Sequence, residues 1–248
     1  MRVGFVGLGM MGLPMARAVA AAGFDLTVWA RRPEQLTPFD QSQVAASLDA
    51  LASTTDLLCI CVRDDEGVKQ LVDAARSQLR ADAAVVVHAT VHPETVRAIA
   101  QEGLRVLDAP VSGGPTAAER GVLAVFAGGD RDLYEACLPV LSSYGDPVRL
   151  VGDVGAGQTA KLLNNLLFAL HLGAAHDVLT IAAQHGLDVD VVGEMFDRAS
   201  AASFALTTLR GAPTAYDAAR PLLAKDLALL QSVAPGLLTD TATALLNA

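Results

Sequence analysis

Short runs of consecutive apolar residues alternate with segments of helical period from the N-terminus to about Val151. Apolar runs predict buried strands, and apolar residues that recur every three or four positions predict helices. The predicted strands are Val3–Val6, Leu26–Trp29, Leu57–Val62, Ala84–His88, Val106–Ala109, Leu123–Ala127 and Val148–Val151. The predicted helices among them are Met10–Ala22, Asp65–Ser77, Pro93–Glu102 and Asp130–Leu141. The alternation predicts an α/β fold with a mostly parallel, doubly wound sheet, and the short connection before Leu123 predicts an antiparallel edge.

The strand pattern ends near Gly155, and only helical periods follow. The predicted helices there are Gln158–His185, Val189–Arg198, Pro221–Val233 and Thr239–Asn247. We therefore predict two domains, an α/β domain over residues 1–154 and a smaller all-α domain over residues 155–248. Pro213 interrupts the helical period, so the segment from Ala199 to Ala219 is interpreted as condensed.

Composition narrows the classes of protein that the chain can belong to. Of its 248 residues, 52% are hydrophobic and 18% are charged, which is typical of a compact α/β protein with surface buried in an oligomer. The net charge of −9 argues against nucleic acid or an anionic membrane as a partner.

The three cysteines, Cys59, Cys61 and Cys137, show no metal-ligand spacing, and we predict no metal site. Their number favours a reducing compartment. The first residues enter a strand, so no signal peptide is expected, and no uninterrupted apolar run has the length of a membrane span. We expect a soluble, cytoplasmic protein.

A glycine-rich turn follows the first predicted strand and opens a helix. Its residues are Gly7, Leu8, Gly9, Met10, Met11 and Gly12. This G-x-G-x-x-G pattern is typical of a Rossmann-type dinucleotide site, in which the glycines allow a tight turn, close approach of a pyrophosphate and close helix–strand packing. Its position between a strand and a helix predicts a nucleotide cofactor.

The end of the second strand predicts which cofactor is preferred. NAD sites place an Asp or Glu there to bind the ribose hydroxyls, whereas this chain has Ala30 followed by Arg31 and Arg32. A guanidinium group suits a 2′-phosphate, so the sequence favours NADP over NAD. The alternative is that the two arginines only begin a solvated loop.

A lysine and an asparagine share one face near the start of the long helix after Gly155. Lys161 and Asn165 are four residues apart, with Asn164 adjacent. An ammonium group there can exchange a proton with a substrate oxygen, which the amide orients. Alone this signal is weak, because most helical lysines are solvated.

Four blocks, taken in order, resemble the β-hydroxyacid dehydrogenase family, to which 3-hydroxyisobutyrate dehydrogenase and tartronate semialdehyde reductase belong. The blocks are Gly7–Ala16, Asp108–Gly114, Gly155–Asn165 and Lys225–Leu227. The resemblance implies an NADP-dependent oxidoreductase that transfers a hydride between nicotinamide and a short β-hydroxy acid or semialdehyde, so the partner is a small carboxylate-bearing substrate. It also implies homodimers, sometimes paired into tetramers, built from the all-α domains.

The resemblance implies a role for each matching residue. The turn formed by Ser112, Gly113 and Gly114 would bind the substrate carboxylate. Lys161 would be the catalytic acid and base, with Asn165 as its partner. Asn164 and Lys225 would bind substrate, and Lys225 would also reach the cofactor across a cleft between the domains. The remaining expected cofactor contacts are Val62, Arg63 and Thr90.

The chain departs from the family's pattern at several places. Ala30 replaces an Asn, Ala89 replaces the Ser before Thr90, and Val62-Arg63 stands where Leu-Pro is usual. His92 is interpreted as incidental, and Asp226 as a structural cap or pairing residue. The all-α domain is also shorter than is usual in the family.

Three alternative functions fit parts of the sequence. An imine reductase of the same fold would typically carry Asp or Tyr at Lys161. A phosphogluconate-type dehydrogenase would need a much larger all-α domain. The third is a catalytically idle NADP-binding scaffold protein, which the short C-terminal part favours and the retained Lys161, Asn165, Ser112 and Lys225 disfavour.

Overall fold

The computed structural model describes residues 1–212 and 214–247, so Pro213, where an interruption of the helical period was predicted, and Ala248 lie outside the described residues. The chain divides into two compact units, Met1–Lys161 and Leu162–Ala248. The division falls inside a long helix, after the position at which the sequence pattern changes.

The first unit is built around one eight-stranded sheet. Its strands are β1 (Arg2–Val6), β2 (Asp25–Trp29), β3 (Leu57–Ile60), β4 (Ala84–Val87), β5 (Arg105–Asp108), β6 (Val111–Ser112), β7 (Leu123–Gly128) and β8 (Gly145–Gly152). The order is β2-β1-β3-β4-β5-β7-β6, with β8 also paired to β7. Strands β1 to β5 pair in parallel. The predicted antiparallel edge is confirmed for β7, which runs antiparallel to β5 and β6, whereas β8 is parallel to β7.

Helices connect these strands. They are α1 (Gly12–Ala21), α2 (Leu48–Thr54), α3 (Asp65–Arg76), α4 (Pro93–Gln101), α5 (Gly114–Glu119) and α6 (Arg131–Leu141). Two short 3₁₀ helices, Pro33–Gln35 and Gln41–Gln43, lie between β2 and α2. Helices α3 and α6 begin after Asp64 and Asp130, whose side chains accept hydrogen bonds from first-turn amides.

Residues that alternate along the strands enter two different hydrophobic clusters. Phe5 and Cys59 belong to one cluster, and Val6 and Leu58 belong to the other. Because neighbouring side chains of a strand point to opposite faces, apolar layers cover both faces of the sheet. The predicted doubly wound α/β fold is confirmed.

The second unit is helical. It contains most of α7 (Ala156–Gln184), followed by α8 (Val189–Asp197), α9 (Phe204–Gly211), α10 (Ala215–Val233) and α11 (Leu237–Asn247). Its core joins one face of α7 with α9, α10 and α11, through residues such as Leu166, Leu209, Leu230 and Leu246.

Several helices differ from the sequence-based expectation. Helices α2, α5 and α9 were not predicted, because each is too short for a clear helical period. Helix α10 begins at Ala215 rather than at Pro221, which lies inside the helix. The prediction for α10 was wrong because a proline is common at a first helical position, where its missing N–H is harmless.

Helix α7 is long and apolar, although no uninterrupted apolar run within it has the length of a membrane span. By length and composition it could cross a membrane, with a mean hydropathy of 1.6. Polar residues such as Asn164 and His171 interrupt its Leu- and Ala-rich sequence. Only 22% of its most apolar window is buried within the chain, and a core helix of a soluble protein meets the same criterion.

Candidate functional site

The carboxyl ends of the parallel strands meet at one edge of the sheet in the first unit. Strands β2 and β3 flank β1, so the chain winds away from β1 in two directions, and α/β folds bind ligands at such switch points. Four groups of predicted cofactor residues follow strands at this edge: Gly7–Gly12 after β1, Ala30–Arg32 after β2, Val62–Arg63 after β3 and Thr90 after β4.

The turn after β1 has the geometry that a pyrophosphate requires. Gly7 has a φ of 94°, and a Cβ there would lie 2.1 Å from the carbonyl oxygen of Cys61. A Cβ on Gly12 would lie 1.9 Å from the oxygen of Gly7, whereas a Cβ on Gly9 would meet nothing within 4 Å. Met11, the residue before α1, provides no side-chain cap for the helix. Open space beside uncapped amides fits an anionic group.

No carboxylate occupies the position where an NAD site binds the ribose. Ala30 is buried at the end of β2, and Arg31 and Arg32 are exposed. The Arg32 Nε lies 3.9 Å from an oxygen of Glu34, a contact between two well-exposed side chains. Both the 2′-phosphate interpretation and the solvated-loop alternative fit this arrangement.

The side chain of Gln158 holds the segment around Thr90. Gln158 is fully buried, its Oε1 accepts a hydrogen bond of 2.9 Å from the N–H of Val91, and its Nε2 donates one of 2.9 Å to the oxygen of Ala89. Thr90 lies between these two bonds. The first turn of α7 is therefore tied to the carboxyl end of β4.

The turn predicted to bind a carboxylate joins β6 to α5. Ser112 pairs with Ala124 of β7, and Gly113 and Gly114 follow with φ angles of 130° and 74°. These angles lie in the region that only glycine adopts readily. Successive amides in such a conformation form a concavity that suits an anion.

Asp108 connects this turn to the helix of Lys161. Its carboxylate is fully buried and accepts hydrogen bonds of 2.7 Å from the N–H of Gly155 and 2.8 Å from the N–H of Gln158. Burial raises the pKa of Asp108 to about 6, although the two amide bonds lower it. Lys161, one turn further along α7, is 7% exposed.

A second buried polar group lies at the end of β4. His88 is buried, and its Nδ1 lies 2.8 Å from the oxygen of Ala109. A carbonyl only accepts, so Nδ1 carries the proton, and Nε2 accepts from the Tyr144 hydroxyl at 3.1 Å. Burial lowers the pKa of His88 to about 4, so the ring is neutral at pH 7. His88 thereby links β4 to the segment that precedes Ser112.

In the second unit, Asp226 joins two residues that the family resemblance assigns to the site. Asn165 donates a hydrogen bond of 2.6 Å from Nδ2 to Asp226 Oδ2, and Lys225 Nζ forms an ion pair at 2.7 Å with Oδ1. Asn164 donates to Asn165 Oδ1 at 3.1 Å. The interpretation of Asp226 as a pairing residue is confirmed.

The histidine near the strand ends and the cysteines have structural explanations. His92 caps α4 by accepting a hydrogen bond of 3.1 Å from the N–H of Glu94, which explains its presence near the strand ends. Cys59 and Cys137 are buried, and burial raises their thiol pKa values. Within residues 1–212 and 214–247, no group of three or more His, Cys, Asp or Glu side chains could hold a metal ion.

The roles of Asp108, Gln158 and His88 were not predicted from the sequence. Asp108 and Gln158 stand inside recognised blocks, but their partners lie at least 47 residues away. A single sequence contains no signal for such pairings. A buried position was predictable for His88 from the strand pattern, but its two hydrogen bonds were not.

Known proteins match both parts of the chain. A family model for the NAD-binding domain of 6-phosphogluconate dehydrogenase matches residues 2–152, and one described as NAD-binding of NADP-dependent 3-hydroxyisobutyrate dehydrogenase matches residues 155–245. A 3-hydroxyisobutyrate dehydrogenase of Pseudomonas aeruginosa is 30% identical, over 82% of this chain and 72% of that protein.

The names of two further similar proteins mention different cofactors. An NAD-dependent L-serine dehydrogenase of Pseudomonas aeruginosa is 29% identical, over 97% of this chain and 87% of that protein. The solved structure of Psf3 in complex with NADP+ and 2-OPP is 25% identical with a TM-score of 0.86, over 99% of this chain and 93% of that one.

Proposed function

The chain belongs to the β-hydroxyacid dehydrogenase family, and we propose that it catalyses reversible hydride transfer between NADP(H) and a short β-hydroxy acid or the corresponding semialdehyde. Binding of a nicotinamide cofactor and the oxidoreductase class follow from the family. The preference for NADP, the carboxylate-bearing substrate and the role of Lys161 are the finer parts of the proposal.

The proposal rests mainly on the hydrogen bonds that hold the first turn of α7 at the carboxyl edge of the sheet. Asp108 and Gln158 bind this turn to the carboxyl ends of β5 and β4, at the edge where the Gly7–Gly12 turn also lies. Lys161 follows one helical turn later and is almost completely buried. A lysine that served only to solvate the surface would be exposed, so the burial of Lys161 at this edge favours a role in proton transfer.

The cofactor, when bound, supplies or accepts the hydride. Lys161 donates a proton or hydrogen bond to the developing alkoxide when a carbonyl is reduced, and it accepts the hydroxyl proton in the reverse direction. The Ser112 hydroxyl and the amides of Gly113 and Gly114 hold the substrate carboxylate. The family resemblance also assigns Asn165, Asn164 and Lys225 to the substrate.

NADP is favoured because Ala30 offers no acceptor to a ribose hydroxyl, whereas Arg31 and Arg32 are exposed cations at the end of β2. The L-serine dehydrogenase relative is named as NAD-dependent, so NAD is the alternative cofactor. The NADP+ complex of Psf3 supports the first choice.

We further propose that the protein is a cytoplasmic homodimer at least. Large apolar side chains of α7 are exposed in the single chain, among them Leu163, Leu167, Val178 and Ile181. A helix that is apolar around most of its circumference needs cover on several sides, and a second copy would supply it without lipid. Light scattering of detergent-free protein at micromolar concentration tests this. A 25.6 kDa species, or loss of the protein to the membrane fraction, would contradict it.

The activity is tested by NADPH consumption against a panel of small aldehydo and keto acids. We expect turnover of at least one short semialdehyde that carries a carboxylate, and none of the matched aldehydes that lack it. Cofactor binding without turnover of any panel member would favour the idle scaffold. Turnover of cyclic imines alone would favour an imine reductase.

A further inference from the structure

A buried hydrogen-bond network joins three segments of the first unit that the proposed function uses. Asp108, at the end of β5, accepts from the amides of Gly155 and Gln158 at the start of α7. The Gln158 side chain then bonds both to the N–H of Val91 and to the oxygen of Ala89. The exposed surface of both Asp108 and Gln158 is 0%.

Each segment carries a residue of the proposed site. Thr90 lies between Ala89 and Val91, Ser112 follows Asp108 after a short turn, and Lys161 follows Gln158 by three residues on the same helical face. We propose that Asp108 and Gln158 are positioning residues, which fix Lys161 relative to the segments of Thr90 and Ser112. This inference rests on the proposed function.

The Asp108 carboxylate is packed closely against the backbone of Gly128 and Gly157, where no side chain would fit. A Cβ on Gly128 would lie 2.7 Å from Asp108 Oδ1, and a Cβ on Gly157 would lie 2.8 Å from Oδ2. Each oxygen of the carboxylate accepts a hydrogen bond from a backbone amide. The positive end of the α7 dipole favours the negative charge of the carboxylate. An asparagine would present one NH₂ group to an amide donor, so it cannot replace both bonds.

The competing explanation is that Asp108 only stabilises its helix, as Asp130 does. The Asp130 carboxylate caps α6 by accepting a hydrogen bond of 3.0 Å from the N–H of Leu133. Helix α6 carries no residue of the proposed site. Asp130, which is exposed, lies outside the network, so Asp130→Asn is the control for the loss of a cap charge in the same unit.

The experiment compares Asp108→Asn, Gln158→Met and Asp130→Asn with the wild type, using the full-length protein. For each we would measure kcat and KM on the best substrate of the panel, and the Kd of NADPH. We expect kcat to fall about 10- to 100-fold in the first two variants, because small misplacements of a catalytic group are that costly. The Kd of NADPH should change less than about threefold, and Asp130→Asn should keep the wild-type kcat.

A fall in kcat of less than about threefold in both variants, or an equal fall in Asp130→Asn, would overturn the proposal. If Asp108→Asn does not fold, Gln158→Met decides alone, because methionine keeps the length of the side chain and loses both polar contacts.

Failure of the proposed function is recognised separately. If the wild type turns over no member of the panel, that function is wrong, and with it the catalytic meaning of the network. Amide hydrogen exchange then tests whether the hydrogen bonds of the network are present. Exchange at Val91 should become faster in Gln158→Met, and exchange at Gly155 or Gln158 faster in Asp108→Asn. Unchanged exchange at all three amides would overturn the network.

Discussion

Asn165 donates a hydrogen bond of 2.6 Å to Asp226, whose carboxylate is only 1% exposed. The sequence assigned the amide of Asn165 to a substrate oxygen, but in the structure the amide also has a partner within its own unit. The other oxygen of Asp226 lies 2.7 Å from Lys225 Nζ. One buried carboxylate therefore holds two side chains that the proposal gives to the substrate.

Replacement of this carboxylate should cost stability as well as activity. Asp226→Ala removes the acceptor of the Asn165 amide and one partner of the Lys225 ammonium, and we expect the free energy of unfolding to fall by about 1–3 kcal/mol. Lys225 is 25% exposed, so water replaces part of the ion pair. The control is Asp217→Ala in the same helix, where the carboxylate is 81% exposed. Equal urea-unfolding midpoints for the two variants would contradict this prediction.

Two buried groups should give opposite pH dependences of stability. The pKa of Asp108 is raised to about 6, so its stabilising contribution is full below about pH 4 and is lost as the pH rises through 6. The pKa of His88 is lowered to about 4, so its contribution is full above about pH 6.5 and is lost as the pH falls through 4. Each is worth about 3 kcal/mol, and they offset one another between pH 4 and 6.5.

Single variants should show each pH dependence of the free energy of unfolding separately. In Asp108→Asn the free energy of unfolding should fall as the pH is lowered from 6.5 to 4, because only the His88 contribution remains. In His88→Gln it should fall as the pH is raised over the same range. Urea unfolding at several pH values measures both, and identical pH profiles for the two variants would show that the assignment is wrong.

Gly9 offers a test of the nucleotide turn that does not depend on activity. A Cβ at this position meets no protein atom within 4 Å, so Gly9→Ala should fold and keep or slightly raise the stability. A pyrophosphate close to the backbone would meet the added methyl group, and the affinity for NADPH should fall. Gly211→Ala, also in open space, is the control. Unchanged NADPH affinity in Gly9→Ala would place the pyrophosphate elsewhere.

The preference for NADP is tested at Arg31. Arg31→Ala should weaken NADPH binding about ten- to a hundred-fold, since a charge-assisted contact contributes about 1.5–3 kcal/mol, and should leave NADH binding unchanged. Arg131→Ala removes another exposed cation, at the start of α6, and should change neither affinity. If the wild type binds the two cofactors equally well, the solvated-loop alternative is right.

Much of the fold was predictable because local pattern and tertiary structure agree. The strand Val3–Val6, the turn Gly7–Gly12 and the helix after it each follow from residues that are neighbours in the sequence. Helices α5 and α9, of 6 and 8 residues, were missed because they are too short to show a clear period. Pro221 misled the prediction of α10, because tertiary packing overrides a local preference.

The candidate site divides in the same way. Ser112, Lys161 and Thr90 could be named from motifs. Asp108 and Gln158 could not be given their roles, since a carboxylate 50 residues from the amide that it binds leaves no trace in a single sequence. The structure adds these long-range contacts to the motif.

The central claim is that Lys161 carries the proton transfer. Only three lysines are present, and Lys69, exposed on α3, is the matched control for Lys161. The decisive measurement is kcat of Lys161→Ala on the best semialdehyde, together with the Kd of NADPH. The account predicts a fall in kcat of about 10²- to 10⁴-fold with nearly unchanged NADPH binding, and wild-type values for Lys69→Ala. A near-normal kcat in Lys161→Ala would contradict the account.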